Sequence, residues 1–540
     1  MNASALAFKT IRLLGLYTGI MLLSVESFGI KPRAKLVVLI AVDGLRGDLL
    51  EKYKPAFKYG LKRMFDKGFN FKNAWVDHAI TVSHAGHVSL ATGNYPRTHG
   101  IVDAAFYEKQ GDSLVFTDAF ADSNYFVIGD SKRKSISTKK VLTEGLAEWI
   151  KRRDHHAKIL CVGTGEISSA LYCFHTGDPV FWYDVKEGRY VTSTYFLPAG
   201  PAWLQRFNTL QLPKFFEMSK IWNNVVPPRF LKFSNKDDAD FENSNQKHVF
   251  PYSLSENKQK ESRYKSWFRF PPFCDNATLS LAEAGIDAMK MGQTKSTDFL
   301  AVVLSQVDNT NHSFGPSSLE TFNVLMQLDK ALGEFYNYLD KKLGQGNYVV
   351  ALSADHGFPE IPEQTLKRGK PAKRLSEKEI ETVLDSVSQL SDKPLGLSTR
   401  EMQSRIKSYL LRQPFIADVY SSYQLQDQST NHDKYLELYR KSYRPDRVPR
   451  LPFFSLRSFQ SSIAKVGLMV RLKPNTMIDL DTDIHGSPYD YDRYVPLIFL
   501  GNGVGHGWSA KKVNTIDIAP SLARLAHITP TTRTDGIPLF

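Results

Sequence analysis

Leu36-Val37-Val38-Leu39-Ile40-Ala41-Val42 is an unbroken apolar run, and it gives way at once to Asp43-Gly44-Leu45-Arg46. A run this short, rich in β-branched residues and bounded by a turn, reads as a strand buried on both faces. Strands of that kind belong to parallel sheets, whereas half-solvated antiparallel strands alternate apolar and polar residues. Residues 159–162, 299–307 (FLAVVLSQV), Tyr348–Ser353 and 495–500 repeat the pattern. Between the third and fourth of these five runs, Leu325, Leu328, Leu332, Phe335 and Leu339 recur at spacings of three and four, one face of a helix lying on a sheet. Strand, helix and strand in this order predict a crossover connection. The expected fold is α/β, with a mostly parallel central sheet flanked by helices.

Two stretches fit the alternation poorly. Residues 180–275 are rich in aromatics and proline, and residues 359–484 are polar and charged with Pro359, Pro362 and Pro371 at their start. Both are expected to be insertions on one catalytic domain spanning residues 30–540, shaping the mouth of a substrate site. Across 540 residues, 42% are hydrophobic and 23% charged, which excludes collagen-like and disordered chains. The net charge of +13 is spread thinly, and no basic run marks a nucleic-acid arm, so no nucleic-acid polymer is expected as a partner. Nothing in the sequence specifies an oligomeric state.

At the N-terminus, Lys9 and Arg12 precede an apolar stretch at 13–25, followed by Ser27, Phe28 and Gly29. Positive residues, a short apolar core and small residues near a cleavage point read as a secretory signal over residues 1–29, and so as a secreted or periplasmic protein. An uncleaved anchor is the competing reading, but a spanning helix wants about 20 apolar residues. No other segment is apolar and long enough to span, so no stable membrane span is expected after cleavage. The three cysteines, Cys161, Cys173 and Cys274, exclude a disulfide framework and allow one bridge at most. They read as small buried apolar residues.

The chemistry concentrates at the ends of the predicted strands. Asp43 follows the first, Asp308 follows 299–307 with His312 four residues on, and Asp355-His356-Gly357 follows Tyr348–Ser353. The carboxyl end of a strand is where open α/β sheets bind ligands. One such aspartate is usually a cap or turn residue, but three clustered acids repel one another unless a cation intervenes. With His485 they offer six oxygen and nitrogen donors, enough for two metals with open positions. The donor types suit zinc and leave manganese and iron open. Ser83, in Thr81-Val82-Ser83-His84-Ala85-Gly86-His87, stands where a loop enters a helix. Its residue type serves equally as an N-cap and as a nucleophile activated by a metal at a helix N-terminus. His87 reads as a packed helix-start histidine and His99 as a support for the HGI turn. The glycine-rich stretch 501–507 opens no helix, which argues against a dinucleotide loop.

Taken in order, these pieces resemble a known family. Val42-Asp43-Gly44, a serine four residues before His87, TGxxPxxHGI at 92–101, DxxxH from Asp308 to His312, ADHG at 354–357 and HG at His485 are similar to the alkaline phosphatase superfamily. Within it, the chain most resembles the phosphate-irrepressible bacterial alkaline phosphatases and the nucleotide pyrophosphatase/phosphodiesterase branch. FWYDVKEGRYVTSTYF at 181–196 and TDFLAVVLSQVDNTNHSFGP at 297–316 resemble the former group, so the likeness covers nearly the whole chain. It implies two Zn2+ ions, one held by Asp43, Asp355 and His356 with Ser83, the other by Asp308, His312 and His485. It also implies attack by Ser83 on a small phosphate ester, with a phosphoseryl intermediate.

Departures from the family pattern bear on the substrate. Relatives commonly place an asparagine three residues after the HGI isoleucine, where Ala104 stands here. The monoesterases also carry Lys-x-Arg after a central strand, where this chain has Gly165-Glu166-Ile167. Those donors neutralise a monoester dianion, so their loss favours a diester slightly. A sulfatase would need Cys or Ser in C/S-x-P-x-R, and 83–87 has neither the proline nor the arginine. The remaining alternatives are a monoesterase with non-standard phosphate-binding residues and a protein that keeps its metals without turnover.

Overall fold

Ten strands build the central sheet: β1 Leu36–Val42, β2 Phe69–Trp75, β3 Ile159–Gly163, β4 Val180–Asp184, β5 Arg189–Val191, β6 Asp298–Leu304, β7 Tyr348–Ser353, β8 Tyr494–Val495, β9 Leu497–Gly501 and β10 Gly507–Asn514. In this computed structural model the described residues are 33–540, apart from 112, 240, 243–248, 254–260, 270–271, 393–398, 428, 430–432, 450–466 and 479–484. The predicted signal at 1–29 therefore lies outside the described residues. Among the described residues no helix is long and apolar enough to cross a membrane.

Side by side the strands run β8-β2-β9-β7-β1-β6-β3-β4-β5, with β10 paired to β2. The five from β7 to β4 are mutually parallel, as their unbroken apolar character requires, and the antiparallel partners lie outside them. The fold is thus α/β with a large, mostly parallel sheet. Alternate residues of each strand enter opposite cores. Val38 and Ile40 of β1, Val302 of β6 and Leu352 of β7 pack beneath helices, among them the one carrying Leu325, Leu328, Leu332 and Phe335. Val37, Leu39, Ala301 and Ala351 face the other way, towards Trp149, Ile150 and Leu522. Each valine, leucine or isoleucine fully buried in this way contributes about 1.5–3 kcal/mol.

The flanking helices that matter for the site are α1 Ser83–Thr92, α2 Leu146–Arg153, α3 Glu166–Ala170, α4 Phe273–Met289, α5 Gln306–Phe314, α6 Leu319–Leu343 and α7 Ile518–Leu525. Helix α6 is the one predicted from the leucine and phenylalanine spacing. Its N-cap Ser318 accepts a hydrogen bond from the Thr321 N–H.

Several boundaries differ from the sequence reading. The run at 299–307 does not stay extended: β6 stops at Leu304, and Asp308 and His312 ride on α5. Asp275 of α4 causes the switch, because its carboxylate accepts from the Ser305 and Gln306 N–H groups at 3.1 and 3.4 Å and satisfies the start of the helix. The run at 495–500 is split at Pro496, which cannot donate to a ladder, into the antiparallel strands β8 and β9. Residues 180–191 belong to the sheet as β4 and β5, so the aromatic stretch departs from it only later. Within 359–484, Leu375, Ile380, Ile406, Val419 and Met469 share a separate apolar core. Cys161 and Cys173 form the single bridge that three cysteines allow, and Cys274 is a buried thiol. The bridge becomes possible because the chain after α3 returns to β3, with the two Cα atoms 6.4 Å apart.

Candidate active site

Register brings the chemistry to one rim. Val42 lies opposite Leu304 and Ala41 opposite Ser353, so β1, β6 and β7 end level with one another. Asp43 and Asp355 leave the strand ends directly, and Asp308 arrives from the first turn of α5. Gly44, at φ +69°, makes this approach possible: an added Cβ there would sit 2.9 Å from Asp308 Oδ1.

Two groups of donors face each other. In the first, His356 Nε2 lies 3.4 Å from both Asp43 Oδ1 and Asp355 Oδ2, and 3.0 Å from Ser83 Oγ. In the second, His312 Nε2 is 3.4 Å from Asp308 Oδ2, and His485 Nε2 is 3.9 Å from Asp308 Oδ1. The His356 and His485 rings stack at 3.7 Å, which sets the two groups side by side. Donors about 2.0–2.2 Å from a tetrahedral metal stand roughly 3.3–3.6 Å from each other, and the three spacings of 3.4 Å fall in that range.

The histidines are already arranged as ligands. His356 Nδ1 donates to the Gly357 carbonyl at 2.8 Å, and His485 Nδ1 donates to the Thr81 carbonyl at 2.9 Å. A carbonyl only accepts, so each Nδ1 carries a proton, which leaves Nε2 as the inward-facing ligand atom of each ring. Asp43 Oδ1, Asp308 Oδ1 and Asp355 Oδ2 are buried with no hydrogen-bond partner among the described residues. Lone pairs converging without donors call for a cation. Asp308, His312 and His485 form one candidate metal group; Asp43 joins His356 and Asp308 in a second, and His87 and Asp355 in a third. The residues thus fit divalent metal ions.

Electrostatics say the same. Burial alone would raise the Asp43 carboxyl, yet the neighbouring His356 and His87 hold it well below the usual range. Asp355, cut off from water and facing Asp43, is pushed up to about 7. Burial would lower His356 and His87, and the neighbouring carboxylates reverse that shift. Bound divalent cations would relieve this crowding of like charge.

Ser83 opens α1, but the N-cap position falls on Val82 and no side chain caps the helix. The hydroxyl is therefore not spent on capping. It points at His356 from the positive end of a ten-residue helix.

Sequence reasoning missed several groups. His87 is fully buried, with Nε2 3.3 Å from Asp355 Oδ2 and 3.6 Å from Asp43 Oδ2. Its Nδ1 meets the Tyr172 hydroxyl at 2.8 Å. The spacing from Ser83 could have flagged it, since residues four apart share a helix face. Asp492 accepts from the Gly486 and Ser487 N–H groups and so fixes the turn after His485. His99 acts as expected, accepting from the Ile101 N–H at 3.1 Å. Asn311 is buried and donates to the Gly44 carbonyl, which ties α5 to the end of β1.

A cavity of about 290 Å³ opens beside Ser83, Asp43 and Asp308, walled by Glu166, Ile167 and Leu171 from the α3 side and by Arg269 and Asn309. Gly165 is the N-cap of α3, which puts the Gly165-Glu166-Ile167 segment at the cavity wall.

A parallel sheet presenting such a rim is the architecture of the alkaline phosphatase superfamily, to which this protein is assigned as a hydrolase of phosphoric esters. Within it, residues 37–452 match the type I phosphodiesterase / nucleotide pyrophosphatase family, and the chain belongs to that family. It is 29% identical over 551 residues to alkaline phosphatase PafA of Elizabethkingia meningoseptica, covering 96% of each chain. It is also 29% identical to alkaline phosphatase PhoV of Synechococcus elongatus, over 92% of this chain and 90% of that one. Among solved structures, a PafA variant superposes with a TM-score of 0.83 at 27% identity, over 94% of this chain and 98% of that one. That variant carries a threonine-to-serine replacement and alanine in place of an asparagine, a lysine and an arginine.

Proposed function

We propose that this chain is an exported two-zinc phosphoric-ester hydrolase that acts through a phosphoserine at Ser83 and turns over diesters faster than monoesters. The observation that carries this reading is the uncapped Ser83 hydroxyl, 3.0 Å from His356 Nε2 and facing the acid-histidine groups. Asp43, Asp355 and His356 would hold one zinc with Ser83, and Asp308, His312 and His485 the other. Zinc bound there would supply Lewis-acid polarisation of the attacking and leaving oxygens.

The chain's own residues account for the rest. Ser83 loses its proton, and Oγ forms a bond to phosphorus as the bond to the ester oxygen breaks. The departing alcohol takes up a proton. Water then cleaves the Ser83–phosphate bond and returns the hydroxyl. The N-terminus of α1 favours the negative charge that develops at Oγ, and the Nδ1 hydrogen bonds of His356 and His485 keep both rings oriented throughout.

Support for a diester comes from the cavity wall. The Lys-x-Arg stretch of the family reads Gly165-Glu166-Ile167 here, of which the Glu166 carboxyl and Ile167 line the cavity, and in the sequence Ala104 replaces the family's asparagine. A dianion meets apolar surface and an acid there, whereas a diester has one charge fewer to compensate. The crystallised PafA variant, in which serine and three alanines replace a threonine, an asparagine, a lysine and an arginine, parallels what this chain carries at Ser83, Ala104, Gly165 and Ile167. The Cys161–Cys173 bridge suits an oxidising compartment and supports export. The names of PafA and PhoV favour a second reading, a monoesterase that binds phosphate by other residues.

The test is a paired assay of zinc-loaded wild type and Ser83→Ala on a phosphate monoester and a diester that share one chromogenic leaving group. Faster diester turnover, abolished in Ser83→Ala, is the expected result. A faster monoester gives the second reading, and full activity in Ser83→Ala overturns the mechanism.

A further inference from the structure

The active cavity has two charged groups on its wall that belong to neither metal group, Glu166 and Arg269. Glu166 already has a partner, because the Ser135 hydroxyl donates to its Oε1 at 2.6 Å. Arg269 is different. Its main chain is fastened to the metal helix: the carbonyl accepts from Gln306 Nε2 at 3.0 Å and from Asn309 Nδ2 at 3.4 Å, and both residues lie on α5 beside Asp308. Its side-chain Nε is buried with no hydrogen-bond partner among the described residues. A buried guanidinium N–H left without an acceptor is costly, so its retention at the wall of an anion-processing cavity needs an acceptor that arrives from outside.

The positions where family members bring lysine and arginine into this cavity carry Gly165 and Ile167. Among the described residues that line it, Arg269 is the one Lys or Arg side chain. We infer that Arg269 is the phosphoryl-binding cation of this protein, donating to an anionic oxygen of the bound ester from the wall that the 180–275 segment supplies. The inference rests on reading the Ser83 site as a phosphoester hydrolase and deepens it. A single guanidinium, in a cavity that also carries the Glu166 carboxyl, matches the single charge of a phosphodiester better than the two charges of a monoester. It also gives the aromatic segment a direct part in substrate choice, because that segment delivers the cation that the α3 loop lacks. Arginine suits the role, since its rigid fork pairs with two phosphate oxygens at once.

The experiment measures inorganic phosphate binding by calorimetry to the zinc-loaded full chain as wild type, Arg269→Ala, Arg269→Gln and Arg269→Lys. In parallel, kcat and KM are measured on the chromogenic diester, with melting temperature recorded for each protein. Loss of one charge-assisted contact should weaken phosphate binding and raise KM by about 10–100-fold, with a smaller change in kcat and partial recovery in Arg269→Lys. If Arg269→Ala is poorly folded, Arg269→Gln carries the same comparison. Phosphate affinity and KM within twofold of wild type in a variant that melts normally would overturn the inference. Ser83→Ala separates the two levels: if it abolishes turnover while Arg269→Gln changes nothing, the hydrolase reading stands and this one fails.

Discussion

Replacing Gly86 by alanine should drive apart the helix that carries Ser83, the proposed nucleophile, and the strand end that carries Asp355, a proposed metal ligand. Gly86 lies in α1, three residues after Ser83 and next to His87. A Cβ at this position would stand 2.3 Å from the Asp355 carbonyl oxygen and 2.8 Å from the Asp355 Cβ. Ordinary contact between such atoms is about 3.5 Å, so the two segments must separate by roughly 1 Å. Two effects compete. Alanine favours a helix interior over glycine by about 1 kcal/mol, whereas overpacking a tight contact costs about 1–3 kcal/mol, and here the clash is with backbone that cannot swing away. The clash should win, giving a modest loss of stability. The larger effect falls on chemistry, since a 1 Å displacement of a reacting group costs about 100-fold in rate. The assay is kcat/KM on a chromogenic phosphate ester with a parallel thermal melt. Gly200→Ala, whose added methyl meets nothing within 4 Å, is the control and should change neither. Activity within threefold of wild type and an equal or higher melting temperature in Gly86→Ala would refute the reasoning.

Three further outcomes are expected. His87→Phe should lose the support that Nε2 gives Asp355 and Asp43, and bound metal should yield to a chelator at about 10–100-fold lower concentration; His87→Gln should recover part of the loss, and equal chelator resistance in all three proteins would rule the support out. Mutating Cys161 and Cys173 together to serine should cost about 3 kcal/mol in denaturant unfolding, because the bridge closes a loop of sequence separation 12; an unchanged midpoint would count against it. Glu320 is buried at the start of α6, where burial pushes its carboxyl up to about 7 despite the Tyr252 hydroxyl donating to it. The folded chain therefore holds that proton over a range where the unfolded chain has lost it. Its contribution is complete below about pH 4.5 and is lost as pH rises towards 7, by up to about 3 kcal/mol. Glu320→Gln should flatten that fall, and an identical slope of stability against pH in variant and wild type would sink the assignment.

Read from residues alone, the chain declared its central layers and most of the residues that the fold gathers at the candidate site. Leu36–Val42 and Tyr348–Ser353 are strands with the boundaries that their apolar runs mark, because burial on both faces leaves no polar position to blur the ends. Asp43, Asp355 and His356 were legible for the same reason: a polar residue at once after such a strand has to lie on the rim. Asp308 and His312 were found with the wrong local structure. The run FLAVVLSQV carries no mark of where extension ends, and the helix start is fixed by the Asp275 carboxylate, which is distant in sequence.

What only the tertiary structure decided are the contacts that join elements far apart in the chain. Ser83 could cap a helix or face an acid-histidine group; the backbone placed the N-cap on Val82 and aimed the hydroxyl at His356. His87 looked like packing until two carboxylates from different strands closed on it. Cys161 and Cys173 looked inert until the turn after α3 brought them together. Arg269 had no motif at all, and its place at the cavity follows from side chains of α5 holding its carbonyl. Periodicity and strand-end grammar are local and survive in one dimension. Hydrogen-bond partners, buried charge and cavity walls are set by which distant segments share a neighbourhood, and only the folded chain specifies that.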